Sequence, residues 1–230
     1  MKKELNGVRL KTGIIGLDQL VQGGLQKGDF IVLVGGIGTG KTILAAEFAY
    51  NGILQSGEPA VFASFEEDVG SVKRNMLQFG MDLEKLEKQG TLKILDLDSL
   101  QGTGIATNIE VLMNAIDKIK AKRLIVDSLT GFLRGTKEKF EYSFLMHLIY
   151  KSLKREGITT LMTVSDPGQS EMSGIEEFVA DGVFKLEKYT TEDMEVRTRF
   201  IIKKLRGTDH SRKYHSVTFT PEGVEILPYT

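Results

Sequence analysis

The sequence predicts a three-layer α/β fold with a mainly parallel central sheet, helices on both faces and an antiparallel C-terminal extension. Short apolar segments alternate with helical patterns up to about Asp181, which favours parallel strands joined by helices. A glycine-rich segment joins the first of these strands to the first long helix. Beyond Asp181 the segments are extended and separated by short turns, which favours antiparallel strands at one edge of the same sheet.

Each predicted element rests on the spacing of its apolar residues. The parallel strands are short and rich in β-branched side chains, and they cover residues 30–34, 60–65, 91–97, 123–127 and 158–164. Helices are predicted at 42–55, from an N-cap at Asp68 to Gly80, at 108–121, and in a long helix that Gly157 ends. The apolar face predicted for the long helix consists of Phe140, Phe144, Leu145, Leu148, Ile149 and Leu153. The extended segments of the C-terminal part are 183–189, 196–205, 216–220 and 224–227.

Length and composition narrow the class of protein. The 230 residues suit one large α/β domain spanning 1–230. Lys plus Arg is 30 and Asp plus Glu is 31, which gives a net charge of -1 and argues against a dedicated nucleic-acid coat protein. The absence of cysteine excludes disulfides, Cys-ligated zinc and thiol catalysis, and the three histidines lack metal-site spacing.

The distribution of apolar residues also bears on location. The first eleven residues are polar and do not resemble the apolar part of a signal peptide. No apolar run approaches the roughly 20 residues that a membrane-spanning helix needs. We therefore expect a cytoplasmic protein with no membrane association.

The segment between the first strand and the first long helix matches the phosphate-binding pattern G-x-x-x-x-G-K-[ST]. Its glycines allow the backbone to approach phosphate closely, and its N–H groups and the helix N-terminus face the anion. Lys41 is expected to contact the β- and γ-phosphates of ATP, and the Thr42 hydroxyl to ligate Mg²⁺. The predicted nucleotide-binding residues are Gly35, Gly36, Ile37, Gly38, Thr39, Gly40, Lys41, Thr42 and Ile43.

Acidic residues end two of the predicted strands. Asp127 follows an apolar strand and is a second candidate to hold Mg²⁺, although an Asp in this position can also cap a turn. Glu66 and Glu67 follow another strand. Adjacent carboxylates repel each other, so a pair at a strand end suits polarising a water molecule and facing a metal ion. A solvated acidic turn is the alternative, and local sequence does not separate the two.

Taken together, these motifs resemble the KaiC-like ATPases of the RecA superfamily. The resemblance covers about residues 10–228. It includes the lead-in 12–18 with 23–28, the phosphate loop, the Glu66–Glu67 pair, the strand ending at Asp127, and Lys-Lys-Leu-Arg-Gly-Thr-Asp-His at 203–210. It implies a RecA-like three-layer fold.

The resemblance also implies roles for individual residues. Glu66 aligns with the glutamate that activates the hydrolytic water, and Glu67 with its acidic partner. Lys204 and Arg206 align with basic residues that reach the ATP of the next subunit, which implies a homo-oligomeric ring, a hexamer in most members. Cations supplied across an interface would stabilise charge on the transferred phosphoryl group. A solvated basic strand end is the alternative for Lys204 and Arg206.

The chain departs from the circadian-clock members in two respects. Those proteins carry two ATPase domains, and this sequence has room for one. Glu177 and Phe178 occupy the positions of their phosphorylated Ser/Thr pair, so we expect no clock-type autokinase activity.

Three other functions stay open. A recombinase-like DNA-binding protein is one, but the loop 165–174 carries acids and no Lys or Arg, which disfavours contact with phosphate backbones; the basic segment 134–139 could compensate. A nucleotide-sensing adaptor without turnover is another, and a small-molecule kinase is the third. The leading hypothesis is a Mg²⁺-dependent ATPase ring with a regulatory or signalling role and a protein partner that the sequence does not identify.

Overall fold

The computed structural model describes residues 9–97, 105–132, 139–165 and 174–228. A two-stranded antiparallel sheet pairs β1 (Arg9–Leu10) with β2 (Leu25–Gln26). The main sheet has nine strands, which are β3 (Phe30–Gly35), β4 (Ala60–Ser64), β5 (Leu92–Asp96), β6 (Arg123–Asp127), β7 (Thr159–Ser165), β8 (Gly182–Thr190), β9 (Val196–Leu205), β10 (His215–Thr220) and β11 (Gly223–Pro228).

Helices connect the strands of the first two thirds of the chain. The described helices are α1 (Leu17–Leu20), α2 (Lys41–Ser56), α3 (Val69–Leu77), α4 (Leu83–Lys88), α5 (Ile105–Ile119), α6 (Leu129–Phe132), α7 (Lys139–Arg155) and α8 (Ile175–Val179). Asp68 caps α3 by accepting a hydrogen bond from Ser71 N at 3.0 Å, as predicted. The short helix α4 was not predicted; Asp82 caps it through Lys85 N at 2.9 Å.

The sheet order is β11-β10-β9-β8-β3-β7-β6-β4-β5. Strands β3 to β8 run parallel to one another, and β9, β10 and β11 follow antiparallel on one side. The predicted fold class is therefore confirmed, including the change to antiparallel pairing after Asp181. The carboxyl ends of the parallel strands all lie along the same side of the sheet. The residues that follow β3, β4, β6 and β7 are therefore brought together on that side.

Two apolar clusters pack on opposite faces of the sheet. Ile31 and Leu33 of β3 point into the cluster that α2, α3 and α4 cover. The alternate residues Phe30, Val32 and Val34 point into the cluster that α5 and α7 cover. A strand buried on both faces reads as a continuous apolar run, and for this reason the sequence located β3 within one residue at its C-terminal end.

The orientation of α7 differs from the prediction. Its buried face includes Tyr142, Met146 and Ile149, whereas Phe140 and Phe144 are 84% and 59% exposed. The helix carries apolar residues along two stripes, and periodicity alone does not tell which stripe faces the sheet. The predicted apolar face was thus wrong for Phe140, Phe144 and Leu148, the last of which is also exposed, and right for Ile149 and Leu153.

A buried arginine joins the N-terminal segment to α2 and β6. The Arg123 side chain is fully buried and pairs with Glu58 at 2.7 Å. Its guanidinium donates to Phe48 O at 2.8 Å and to Lys11 O at 2.6 Å, and it stacks on the Phe48 ring. Several hydrogen bonds offset the cost of burying this charge. The contacts fix α2, and therefore its first turn, against the sheet.

A buried carboxyl in the middle of the same helix joins it to the C-terminal extension. Glu47 of α2 is 3% exposed and accepts hydrogen bonds from Val224 N at 2.7 Å and Asn51 Nδ2 at 3.3 Å. Burial raises the pKa of Glu47 from its ordinary value of 4.5 to about 7, while the two hydrogen bonds act in the opposite direction.

We expect the Glu47→Gln variant to show a flatter dependence of stability on pH. The folded chain holds a proton on Glu47 that the unfolded chain has lost above pH 4.5, so this contribution is present at low pH and disappears as pH rises through about 7. Removing the titration should abolish a loss on the order of 3 kcal/mol between pH 5 and 8. Urea unfolding at several pH values measures it.

The matched control is Glu110→Gln, which changes an exposed glutamate on α5. The slope of unfolding free energy against pH is the readout, because the new amide also alters absolute stability. Parallel pH profiles for wild type and Glu47→Gln would show that Glu47 ionises normally in the folded chain.

Candidate functional site

The predicted phosphate loop lies between the end of β3 and the start of α2. Gly38 and Gly40 have φ values of 67° and 90°, which side chains with a Cβ rarely adopt. A Cβ on Gly40 would also lie 2.1 Å from the Phe219 ring of β10. The Thr39 hydroxyl donates to Gly36 O at 2.9 Å inside the loop. The backbone of this loop therefore depends on glycine at two positions.

The first turn of α2 is open to a ligand. Gly40 is its N-cap residue and no side chain caps the turn, so its N–H groups point out of the helix with the positive end of the helix dipole. Lys41 Nζ donates to Gly35 O at 2.8 Å and to Gly36 O at 3.0 Å. Nearby, Ile37 is 93% exposed, whereas Ile43 packs against the apolar cluster beneath α2.

Asp127 lies at the end of β6, close to the start of α2. Its carboxyl accepts hydrogen bonds from the hydroxyls of Thr163 on β7 and Thr42 on α2. Burial raises the pKa of Asp127, and the charge of Glu66 adds to the rise, while the two threonines and Lys41 act in the opposite direction. The two residues predicted to hold Mg²⁺ are thus in contact.

Thr163 is a site residue that the sequence reading missed. It is fully buried in β7, where it pairs with Leu33 of β3 and lies between the phosphate loop and Asp127. A hydroxyl within the otherwise apolar stretch 161–164 was the available signal, because buried polar groups need a partner. Its hydrogen bond orients the Asp127 carboxyl.

Glu66 follows β4, which pairs with β6, and so lies beside Asp127. The Glu66 side chain is exposed, and its Oε1 accepts a hydrogen bond from Ser128 Oγ at 2.6 Å. Ser128 is itself buried, and its Oγ accepts from Gly131 N at 3.1 Å. Ser128 therefore holds a solvent-facing carboxylate at the edge of the sheet where the phosphate loop opens.

Glu67 is held differently from Glu66. Its Oε1 accepts a hydrogen bond from Asn75 Nδ2 of α3 at 2.6 Å. Partial burial raises the pKa of Glu67, and the negative charges of Asp127 and Asp68 raise it further. The Glu67 side chain belongs to the acidic group around Asp127. It is bound to Asn75 of α3, whereas Glu66 is bound to Ser128 and faces solvent.

Lys204 and Arg206 lie toward the other end of the strands, away from the end where the phosphate loop follows β3. Lys204 pairs with Val183 near the start of β8, whereas Leu186 of β8 pairs with Gly35. The three-residue offset corresponds to about 10 Å along the strands. Within one chain, the structure therefore brings together the phosphate loop, Asp127, Glu66 and Glu67, and leaves the two basic residues apart from them.

Both basic side chains lie at the C-terminal end of α8. Lys204 Nζ donates to Glu177 O at 2.9 Å and to Phe178 O at 3.1 Å. Arg206 donates to Phe178 O at 3.0 Å and to Val179 O at 3.2 Å. Cations suit the negative end of a helix, and Arg206 is about half exposed. Glu177 and Phe178, which stand where the clock proteins carry their phosphorylated pair, supply backbone carbonyls to which these cations donate.

The donor set around Thr42 fits a magnesium ion that arrives with a nucleotide. In the described part of the chain, no three His, Cys, Asp or Glu side chains converge to hold a metal ion. Mg²⁺ is commonly bound by one or two protein oxygens together with substrate phosphates and water. The Asp127 carboxylate and the Thr42 hydroxyl supply hard oxygens of this kind.

Two predicted features fall largely or wholly outside the described residues. They are the acidic loop 165–174, of which 166–173 is not described, and the basic segment 134–139, of which 134–138 is not described. Among the described helices, none combines the length and apolar character that crossing a bilayer would require.

Comparisons with known proteins agree with the geometry. A family model described as "ATPase: KaiC" matches residues 10–230. The circadian clock oscillator protein KaiC of Parathermosynechococcus lividus is 36% identical over 98% of this chain, which spans 43% of that protein's length. A UPF0273 protein of Pyrococcus furiosus is 35% identical, with 96% of this chain and 94% of that protein covered.

A solved structure is also similar. The crystal structure of a KaiC-like protein from Pyrococcus horikoshii OT3 superposes with a TM-score of 0.86 at 35% identity, covering 96% of this chain and 99% of that one. The likeness therefore extends over nearly the whole of both chains.

Proposed function

Since the chain belongs to the KaiC-like family of ATPases, we propose that it is a magnesium-dependent ATP hydrolase that works as a ring-like homo-oligomer. On this proposal residues 1–230 form one ATPase domain, located in the cytoplasm, with a regulatory or signalling role. The observation that carries it is the convergence of the open first turn of α2, Lys41, Asp127 and Glu66 at one edge of the sheet.

Nucleotide binding follows from the loop and Lys41. Main-chain N–H groups of residues 36–42 would donate to the phosphates, and Lys41 would exchange the carbonyls of Gly35 and Gly36 for charged phosphate oxygens. Hydrogen bonds between charged partners are about twice as strong as neutral ones. This exchange of hydrogen-bond partners therefore favours the nucleotide-bound state. The two loop carbonyls that Lys41 releases would then accept hydrogen bonds from solvent.

Asp127 and Thr42 would hold the magnesium ion beside the loop. When bound, the ion neutralises negative charge on the β- and γ-phosphates. The threonines that bond to Asp127 orient its carboxylate, and a nearby cation would offset the burial that now raises its pKa. Thr163 thereby acts as a positioning residue for the ion.

On this proposal Glu66 would activate the attacking water. It is solvent-exposed, it lies at the same edge as the phosphate loop, and Ser128 fixes one of its carboxylate oxygens. The other oxygen is then available to accept a proton from, or to orient, an attacking water. Glu67 would act as the acidic partner of Glu66.

Lys204 and Arg206 would complete the site of a neighbouring copy. They lie too far along the sheet to serve the phosphate loop of their own chain, but Arg206 is exposed enough to reach across an interface. A guanidinium supplied in this way stabilises the charge that develops during phosphoryl transfer. The ring and its subunit number, with a hexamer as the expected state, are part of this proposal.

We expect Glu66→Gln to bind ATP with near wild-type affinity and to lose turnover by about 100-fold or more, since a positioned base contributes roughly 10²–10⁴ in rate. Phosphate release and nucleotide binding are measured in parallel, with and without single-stranded DNA. Glu84→Gln on α4 is the matched control. Unchanged turnover in Glu66→Gln would refute the assigned base, and strict dependence on DNA would favour a recombinase-like protein.

We expect Arg206→Ala to reduce turnover only where the protein is assembled. A trans-acting arginine accounts for about 10³ or more in rate, so activity per chain should rise with assembly in wild type and stay low in the variant. Mass in solution and turnover are followed over a dilution series. Arg197→Ala, an exposed arginine of β9 paired with Glu195 at 2.7 Å, is the control.

Equal activity per chain in wild-type monomer and ring would contradict the cross-subunit role. A fall in the Arg206→Ala activity of the monomer would instead indicate that loss of the contacts to Phe178 and Val179 disturbs α8.

A further inference from the structure

Lys188 of β8 lies beside the phosphate loop and has no part in the site described so far. In the register of β8 with β3, Leu186 pairs with Gly35, the last residue before the loop. Lys188 is two residues further along. Phe184 and Leu186 point into the cluster covered by α2, and by strand alternation Lys188 projects on the same face. This is the face on which the loop turns into α2.

The ammonium of Lys188 is in close proximity to the loop backbone. A Cβ built on Gly38 would lie 3.0 Å from Lys188 Nζ, so the space beside this glycine is occupied by a cationic group. The neighbouring Lys185 pairs with Glu187 at 3.1 Å. The Lys188 side chain is exposed, and it has no hydrogen-bonding or ion-pair partner among the described residues.

The charged groups are arranged asymmetrically about β3. Asp127 and Glu66 lie on the side of β7, β6 and β4, whereas Lys188 lies on the side of β8. A triphosphate held by the loop would therefore have carboxylates and their magnesium ion on one flank. On the other flank it would have the ammonium group of Lys188, which pairs with no acid among the described residues.

We propose that Lys188 is a second phosphate-binding lysine, which donates to triphosphate oxygens over Gly38 on the flank opposite Asp127. This inference rests on the proposed ATP binding. It differs from the proposed role of Lys204 and Arg206 because Lys188 belongs to the same chain as the loop. Its contribution is present in a single subunit and does not need a ring.

The test is calorimetric titration of a non-hydrolysable ATP analogue with Mg²⁺, at a protein concentration where the chain is monomeric. Lys188→Ala should bind about tenfold more weakly than wild type, the effect of losing one charged hydrogen bond at a partly exposed site. Lys188→Arg, which keeps the charge, should retain most of the affinity. Lys118→Ala, which removes an exposed lysine from α5, should match wild type.

Thermal unfolding without nucleotide serves as the check on folding, and it should be the same for Lys188→Ala and wild type because no described residue forms a hydrogen bond or ion pair with the Lys188 side chain. Equal affinities of Lys188→Ala and Lys118→Ala would overturn the inference and leave ATP binding by the loop intact. A wild-type protein that takes up no analogue would contradict the proposed function itself.

Discussion

The junction between β3 and α2 presents main-chain N–H groups that no side chain caps, and the placement of the other site residues follows from it. The turn needs positive φ at Gly38 and Gly40, and the Phe219 ring leaves no room for a Cβ at Gly40. Because β3 is central in the sheet, the strands that end nearest to this turn supply the acids on one side and Lys188 on the other. The order of the strands in the sheet thus determines which residues lie beside this anion-binding turn.

The acid beside this turn is stabilised by a small polar network. Asp127 is largely buried, and burying an ionised carboxylate is costly unless hydrogen bonds compensate. Thr163 and Thr42 supply such bonds from β7 and α2. Burial still raises the pKa of Asp127, and the negative charge of Glu66 adds to the rise. A magnesium ion held by Asp127 and Thr42, as proposed, would favour the ionised carboxylate and so offset this cost.

The sequence was sufficient for those parts of the molecule that depend on local patterns. A strand buried on both faces, such as β3, is a continuous apolar run, and the phosphate loop is a short motif at a strand–helix junction. Glu66, Glu67 and Asp127 were identified as candidates because each comes at the end of a predicted apolar strand.

Contacts between distant segments could not be predicted from the sequence. Ser128 and Lys188 gain their roles from residues of distant segments, and no spacing pattern records such contacts. For Thr163 the sequence shows only a hydroxyl within an apolar strand. The face of α7 was also undetermined, because Phe140 and Met146 lie on two apolar stripes and only packing selects one. Lys204 and Arg206 were named by resemblance alone. Their distance from the loop of the same chain, which favours a role across an interface, is visible only in the sheet register.

The most direct test of this account is the heat of ATP binding to Lys41→Ala in the presence of Mg²⁺. We expect the wild-type chain to bind with a measurable heat. The variant, folded to the same extent in the absence of nucleotide, should lose about 100-fold or more in affinity, equivalent to roughly 3 kcal/mol. An undiminished heat and affinity in Lys41→Ala would contradict it, because phosphate recognition would then not occur at the β3–α2 turn.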